Sequence, residues 1–267
     1  MKIRRKKMTI LFTILALCAL LVWWGDRTPR LTEYTISASE ELSGLKIAHI
    51  SDLHNTQLGR DNEKILKILA EAQPDIIAVT GDMIDSRNTN IEVALAFAGE
   101  AMEIAPLYYA TGNHESRIAD YPLLESGLRD MGAAVLRDEA AEFKGMAVIG
   151  LDDPAFRTHD AKDTARIIDE LKGDAPFALV LSHRPELLDS YAESGADLVL
   201  SGHAHGGQIR LPFIGGVIAP HQGFFPELTE GVHEKGGTSL VISRGLGNSL
   251  FPFRVNNRPE VVLITLK

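Results

Sequence analysis

Leu45-Lys46-Ile47-Ala48-His49-Ile50, running into Ser51-Asp52-Leu53-His54, is an apolar stretch that ends in a carboxylate and an imidazole. The apolar part is short and rich in β-branched residues, and reads as a buried strand. The same pattern recurs further along the chain. Ile76 to Val79 leads to Gly81-Asp82, and Pro106 to Ala110 leads to Gly112-Asn113-His114-Glu115. Phe177 to Leu181 leads to Ser182-His183-Arg184, and Leu198 to Leu200 leads to Gly202-His203-Ala204-His205-Gly206-Gly207. An α/β sheet gathers the loops at its strand ends into one crevice, so these polar clusters are expected to meet in space.

Between the strands the apolar period lengthens to that of helices. Asn62 to Ala72, Ile91 to Ile104, Tyr121 to Met131, Ala161 to Leu171 and Pro185 to Ser194 are the expected helices. Ala147 to Gly150 adds a strand, and Leu31 to Ser37 reads as an opening one. Past Gly206 glycine and proline become frequent, helix signals vanish, and Ser239 to Ser243 and Val261 to Leu266 read as strands. Alternation of this kind predicts sheet with helices packed on it. The reading is one domain over residues 31–267, preceded by a basic segment, apolar run and tether over 1–30.

Met8 to Trp24 is 17 residues without a charge. As a helix it spans roughly 25 Å at about 1.5 Å per residue, slightly less than a bilayer's hydrocarbon core. Lys2, Arg4, Arg5, Lys6 and Lys7 precede it, and Trp23-Trp24 close it at the depth of an aromatic belt. Val22-Trp23-Trp24-Gly25 lacks the small-residue site of a cleaved signal, and Leu17 before Cys18 does not suit a lipoprotein. A retained single-pass anchor is the reading adopted, with the basic residues cytoplasmic and the catalytic domain extracytoplasmic. Arg4-Arg5 also raises twin-arginine export, although Lys6-Lys7 stands where that signal prefers an apolar residue.

Cys18 is the only cysteine, so ligands in the body must be nitrogen and oxygen. The chain has 27 Lys and Arg against 36 acids; the first thirty residues hold seven bases and one acid. That leaves 20 against 35, a net charge of −15, a poor match to nucleic acid. An anionic substrate would have to be attracted locally, by bound cations and a few arginines.

Singly, each motif is ordinary turn chemistry. Together, at successive strand ends, carboxylates, an amide and imidazoles make a metal site, expected to hold two ions. Asp52 and His54 lie two apart, as do His203 and His205, so on extended backbone each pair points to one side. In this order the blocks resemble the calcineurin-like metallophosphoesterases: D-x-H, G-D, G-N-H-[DE], H and G-H-x-H. Gly206-Gly207-Gln208-Ile209-Arg210-Leu211-Pro212 and Ser243-Arg244-Gly245-Leu246-Gly247 resemble that family's membrane-associated bacterial phosphodiesterase branch.

The resemblance implies an α/β sandwich of two packed mixed β-sheets flanked by helices. It also implies a dinuclear site, one ion on Asp52, His54, Asp82 and His205, the other on Asp82, Asn113, His183 and His203. Asp82 would bridge, its charge offsetting two cations at once. Two dications about 3.5–4 Å apart can hold a hydroxide between them for in-line attack on phosphorus. His114 is not a ligand in this scheme; it stabilises phosphate charge or protonates the leaving oxygen. Nitrogen and oxygen donors suit Mn, Fe, Zn or Co, with manganese favoured from the resemblance.

Other residues are assigned more plainly. His49 is expected to be a packed core residue, His159 and His233 solvated, His221 a loop residue with approach to the substrate as the alternative, and Asp152-Asp153-Pro154 a turn. Arg210 and Arg244 are candidate phosphate contacts, since a guanidinium forks onto two oxygens; a surface ion pair is the competing assignment. Phe213, Ile214, Phe224, Phe225, Leu250 and Phe251 are expected to complete the core of the second sheet, with a lipid-accepting groove as the alternative. The functional expectation is a membrane-tethered hydrolase of a phosphodiester, pyrophosphate or phosphomonoester, on a lipid-linked or cell-envelope substrate. The alternatives are a cytoplasm-facing nucleotide-sugar lipid pyrophosphatase, which a C-terminal topology reporter separates, and a non-catalytic phospholigand-binding protein.

Overall fold

The computed structural model describes residues 2–156, 163–248 and 251–267. Its strands are β1 (Arg30–Ile36), β2 (Lys46–Ile50), β3 (Ile76–Thr80), β4 (Leu107–Ala110), β5 (Ala134–Val135), β6 (Glu139–Phe143), β7 (Met146–Gly150), β8 (Ala178–Leu181) and β9 (Leu198–Ser201). Two small hairpins follow, β10 (Arg210–Leu211) with β11 (Gly215–Gly216) and β12 (Ile218–Ala219) with β13 (Gly223–Phe224). β14 (Gly231–Lys235), β15 (Thr238–Ile242) and β16 (Glu260–Leu266) complete the set.

They form two six-stranded mixed sheets, β1-β16-β2-β3-β4-β5 and β14-β15-β9-β8-β7-β6. The first is parallel except between β16 and β2; the second is antiparallel only where β14 and β6 flank it. The sheets face each other across one apolar layer, in which Ile47, Ile76 and Ala78 meet Leu179, Leu181 and Leu200. Helices cover both outer faces. α2 (Glu63–Ala72), α3 (Ile91–Met102) and α4 (Tyr121–Asp130) lie on the first sheet, and α5 (Asp163–Lys172) and α6 (Leu188–Glu193) on the second. Strands buried on both faces need unbroken apolar sequence, and β3, β7, β8 and β9 have it.

The central strands and helices thus follow the sequence reading closely. β6 and β14 do not announce themselves in the sequence. Both are edge strands, half exposed and carrying Glu or Lys, which blunts a sheet edge but erases the apolar alternation. His233 accordingly sits on β14, its Nε2 3.0 Å from the Glu230 carbonyl. His159 and Leu250 lie outside the described residues.

α1 (Lys2–Asp26) precedes the body, and Met8–Asp26 within it is long and apolar enough to cross a bilayer. Ile10, Phe12 and Leu20 each expose more than half their surface. Only residues 27–29 separate α1 from β1, and Asp26 Oδ1 accepts the Arg254 backbone N–H at 2.9 Å.

Candidate metal centre

The polar clusters all lie just beyond the C-terminal ends of β2, β3, β4, β8 and β9. Parallel strands that share a direction deliver their following loops to the same edge, and here the edges of both sheets converge. Asp52, Asp82, Asn113, His183, His203 and His205 are each at most 4% exposed, and His54 and His114 are 6% and 5% exposed.

The backbone delivers them differently from the extended geometry expected. Asp52, His54, Asp82, His203 and His205 all have positive φ, between 46° and 65°. Each such residue costs about 1–3 kcal/mol, a strain that persists only where surrounding structure imposes it. The loops approach so closely that a Cβ on Gly112 would collide with Asp82 Oδ1, and one on Gly202 with Ser51 and Asp52. Asp52 then accepts the His203 N–H at 3.0 Å, tying the β2 loop to the β9 loop.

Two groups of donor atoms result. In one, His205 Nε2 lies 3.4 Å and His54 Nε2 3.7 Å from Asp52 Oδ1, with the two Nε2 atoms 3.3 Å apart. In the other, His183 Nε2 lies 3.2 Å from Asp82 Oδ2 and 3.1 Å from His203 Nδ1. Asp82 Oδ2 is also 3.5 Å from His54 Nε2, so this one oxygen stands between the groups.

These spacings fit metal ligation. Ligand bonds of about 2.0–2.2 Å put neighbouring donors on one cation roughly 3–3.5 Å apart. The Asn113 amide atom facing the cluster lies 2.8 Å from His203 Nδ1. An amide nitrogen there would donate to the ring, whereas a carbonyl oxygen there would accept from an Nδ1–H or share a cation with Nδ1. His183 Nδ1 donates to the Thr80 carbonyl at 2.7 Å, which turns Nε2, the atom a cation would take, into the cluster.

The electrostatics make the same demand. Burial opposes charge on Asp52 and Asp82, but His205 beside the first and His183 beside the second hold both carboxyls well below their usual range. Among the described residues neither has a lysine or arginine ion pair; all their partners are imidazoles. Burial alone would push His183 down, yet Asp82 raises it to about 10. Burial carries His205 down to about 3, despite Asp52. The cluster therefore calls for positive charge, supplied by divalent cations without desolvating a long cationic side chain.

His114 faces the same cleft but is oriented from behind. Its Nδ1 accepts the Ser86 backbone N–H at 3.0 Å, which leaves the proton on Nε2, 4.0 Å from Asp82 Oδ2. Burial lowers its pKa to about 4, overriding Asp82.

Three further residues contribute, Glu115 and Asp153 unassigned by the sequence reading and His221 only as its lesser alternative. Glu115, the last letter of Gly-Asn-His-Glu, is fully buried and accepts the backbone N–H groups of Asp82, Met83 and Gly112 at 2.8–3.0 Å. It clamps the β3 loop to the β4 loop. Burial and neighbouring Asp82 push it up to about 8, while three backbone donors favour its anion. Asp153 is not a simple turn residue: it is 1% exposed and grips Arg184 through both carboxylate oxygens. That guanidinium sits 3.0 Å from His203 Nε2 and 2.8 Å from His221 Nδ1. His221 thereby joins the wall of a cleft of about 140 Å³, with Asn113, His114, Arg117, His203 and Pro220. The sequence signal was present in each case, as an acid or imidazole beside a motif.

Arg210 and Arg244 do not line that cleft. Both are ion-paired with Glu230, and Arg210 also donates to the Gly206 carbonyl at 2.7 Å, propping the His205 loop. They are ion-paired, though as largely buried side chains rather than on the surface. His49 is a core residue, with Nε2 2.8 Å from Thr80 Oγ1. The apolar group expected in the second sheet's core is instead on the surface: Phe213, Ile214, Phe224 and Phe225 are each 60% or more exposed, and Phe251 40%.

Comparison with known proteins agrees with this geometry. The calcineurin-like phosphoesterase family matches residues 45–207. YkuE of Bacillus subtilis, described as an uncharacterized metallophosphoesterase, is 30% identical over 88% of this chain and 85% of its own length. The phosphodiesterase YaeI of Escherichia coli is 28% identical over 83% of this chain and 82% of its own. Among solved structures, TT1561 of Thermus thermophilus superposes with a TM-score of 0.54 at 14% identity, covering 76% of this chain and 91% of its own; it shares the fold. The chain belongs to the calcineurin-like phosphoesterase family and is a metal-dependent phosphoric ester hydrolase.

Proposed function

Within that family, we propose that this chain is a membrane-tethered phosphoesterase acting through two divalent cations. One would be held by Asp52, His54, Asp82 and His205, the other by Asp82, Asn113, His183 and His203. The observation that carries the reading is Asp82 Oδ2, within 3.5 Å of an imidazole from each donor group. Manganese is the preferred metal, with iron, zinc and cobalt compatible with the same donors. When bound, such a pair supplies Lewis acidity toward phosphoryl oxygens and lowers the pKa of a water.

The chain's own residues do the rest. Asp52 and Asp82 fix the charge of the centre, and Glu115 and Asp52 hold the loops that present the ligands. His114, with its proton on Nε2, hydrogen-bonds to the phosphate oxygens and stabilises the charge that builds on them as the leaving oxygen departs. The Ser86 N–H keeps that tautomer by occupying Nδ1. Cleavage of a phosphodiester is the preferred reaction, supported by the likeness to YaeI. Residues 1–30 serve as anchor and tether, and residues 31–267 as the catalytic domain facing away from the cytoplasm, in keeping with the basic residues ahead of α1.

The test is His114→Ala in metal-reconstituted enzyme with bis-p-nitrophenyl phosphate and with a dialkyl phosphate of poor leaving group. Metal content should stay normal while turnover of the poor substrate falls ~10²–10⁴-fold. Unchanged turnover would remove His114 from the reaction, and absence of hydrolysis by the parent enzyme would favour a binding protein.

A further inference from the structure

An exposed apolar lobe adjoins the metal centre, formed by residues 208–225 and 251–255. Backbone bonds hold it together: Ile209 bridges Val255, Phe225 N–H donates to the Val217 carbonyl, and the Gln208 amide donates to the Phe251 carbonyl. Phe213 is fully exposed, Phe224 74%, Ile214 61% and Phe225 60%. Contiguous apolar surface of this kind on a folded protein marks a contact with something apolar.

Two further observations identify that contact as a bilayer. The lobe is continuous with the end of α1, because Arg254 donates its N–H to Asp26 and Gly25 lies beside Arg258. There, a cavity of about 430 Å³ is lined by Trp24 together with Arg30, Arg244, Arg254 and Arg258. Arg27 and Arg258 also stack over Trp23 and Trp24. Arg30 and Arg244 are held by Glu260 and Glu230 and Arg254 is buried, so in a body of net charge −15 it is Arg27 and Arg258, stacked on the interfacial tryptophans, that match anionic lipid headgroups.

A second cavity, about 130 Å³, runs inward from the lobe between Ile218, Ala219 and Phe251, and has Ala204 in its wall. It shares His205 and Pro220 with the catalytic cleft, so this short apolar channel and the cleft beside the proposed metal ligands have a common wall. We propose that the lobe rests in the headgroup layer beside α1, and that this channel takes the acyl portion of a membrane lipid phosphate ester whose phosphate meets the metal centre. The inference rests on the hydrolase reading above and names its substrate class.

Two measurements on the full-length enzyme in phosphatidylglycerol-containing vesicles test it. The first compares dodecyl p-nitrophenyl phosphate with ethyl p-nitrophenyl phosphate. Each methylene taken out of water is worth about fourfold, so three or four in the channel should favour the dodecyl ester ~10²-fold in kcat/KM. Phe251→Ser and Ile218→Ser should lower that preference about tenfold and leave ethyl ester hydrolysis unchanged. A preference equal in parent and variants would mean mere partition into the vesicle and would overturn the channel. No hydrolysis of either ester would overturn the hydrolase reading itself, a distinct result. The second places bimane on Phe213→Cys in a Cys18→Ala background. Brominated acyl chains should quench it strongly, and bimane on Glu142→Cys hardly at all. Equal quenching at the two positions would overturn docking of the lobe.

Discussion

Asp52, Asp82, His183 and His203 are at most 3% exposed, whereas Phe213, Phe224 and Phe225 are at least 60% exposed, and the two regions meet at His205 and Pro220. One buries charge, at a cost of several kcal/mol per ion. The other leaves aromatic surface in water, forgoing about 1.5–3 kcal/mol per side chain. Neither arrangement makes sense for a polypeptide folding only against itself. Each fits a different proposed partner, divalent cations in the first case and lipid in the second. Their adjacency is what links a chemistry to a place.

The comparison breaks most visibly at Asp82. Asp82→Ala should lose both ions and bring turnover to background, because its carboxylate is the negative charge common to the two donor groups. Near-normal metal by elemental analysis of the purified variant would show that the groups are independent. Glu115→Gln is the sharper test, since Glu115 touches only backbone among the site loops. It should weaken metal binding ~10–100-fold, as loss of a supporting partner usually does, with little change in kcat once metal saturates. Metal titrations matching the parent's would mean the β3 and β4 loops hold their shape without it.

The smallest effect concerns His49, as buried as the cluster but bonded to Thr80 and not among its donors. Burial lowers its pKa from 6.5 to about 4, so between those values the unfolded chain binds a proton that the folded one refuses. Stability therefore falls as pH falls through that window, by at most ~3 kcal/mol from this residue. His49→Gln in metal-loaded enzyme should flatten that loss in urea midpoints measured across the window. An unchanged slope would assign the acid sensitivity to the cluster alone.

Much of this was legible because β3, β8 and β9 are buried on both faces and must spell apolar runs, which made the polar residues after them conspicuous. Spacing could not supply backbone direction: Asp52 and His54 share a site through left-handed φ values, not through an extended strand. Nor could it reveal Glu115 or the Asp153–Arg184 pair, whose work is done across 30 or more residues of sequence by atoms facing backbone or each other. Phe213 and its neighbours misled because apolar residues near a chain's end usually fill a core. What placed them outside was the pair of short hairpins, β10–β11 and β12–β13, which pair only with themselves and join neither six-stranded sheet.

The junction between α1 and β1 has a mechanical consequence. Three residues can stretch only about 10 Å, and the Asp26–Arg254 bond removes most of that slack. With α1 in a bilayer, the catalytic body would be kept close to the membrane surface, like the head of a gauge on a short stem. Phosphate esters would be selected first by their depth in the leaflet, and only then by their chemistry.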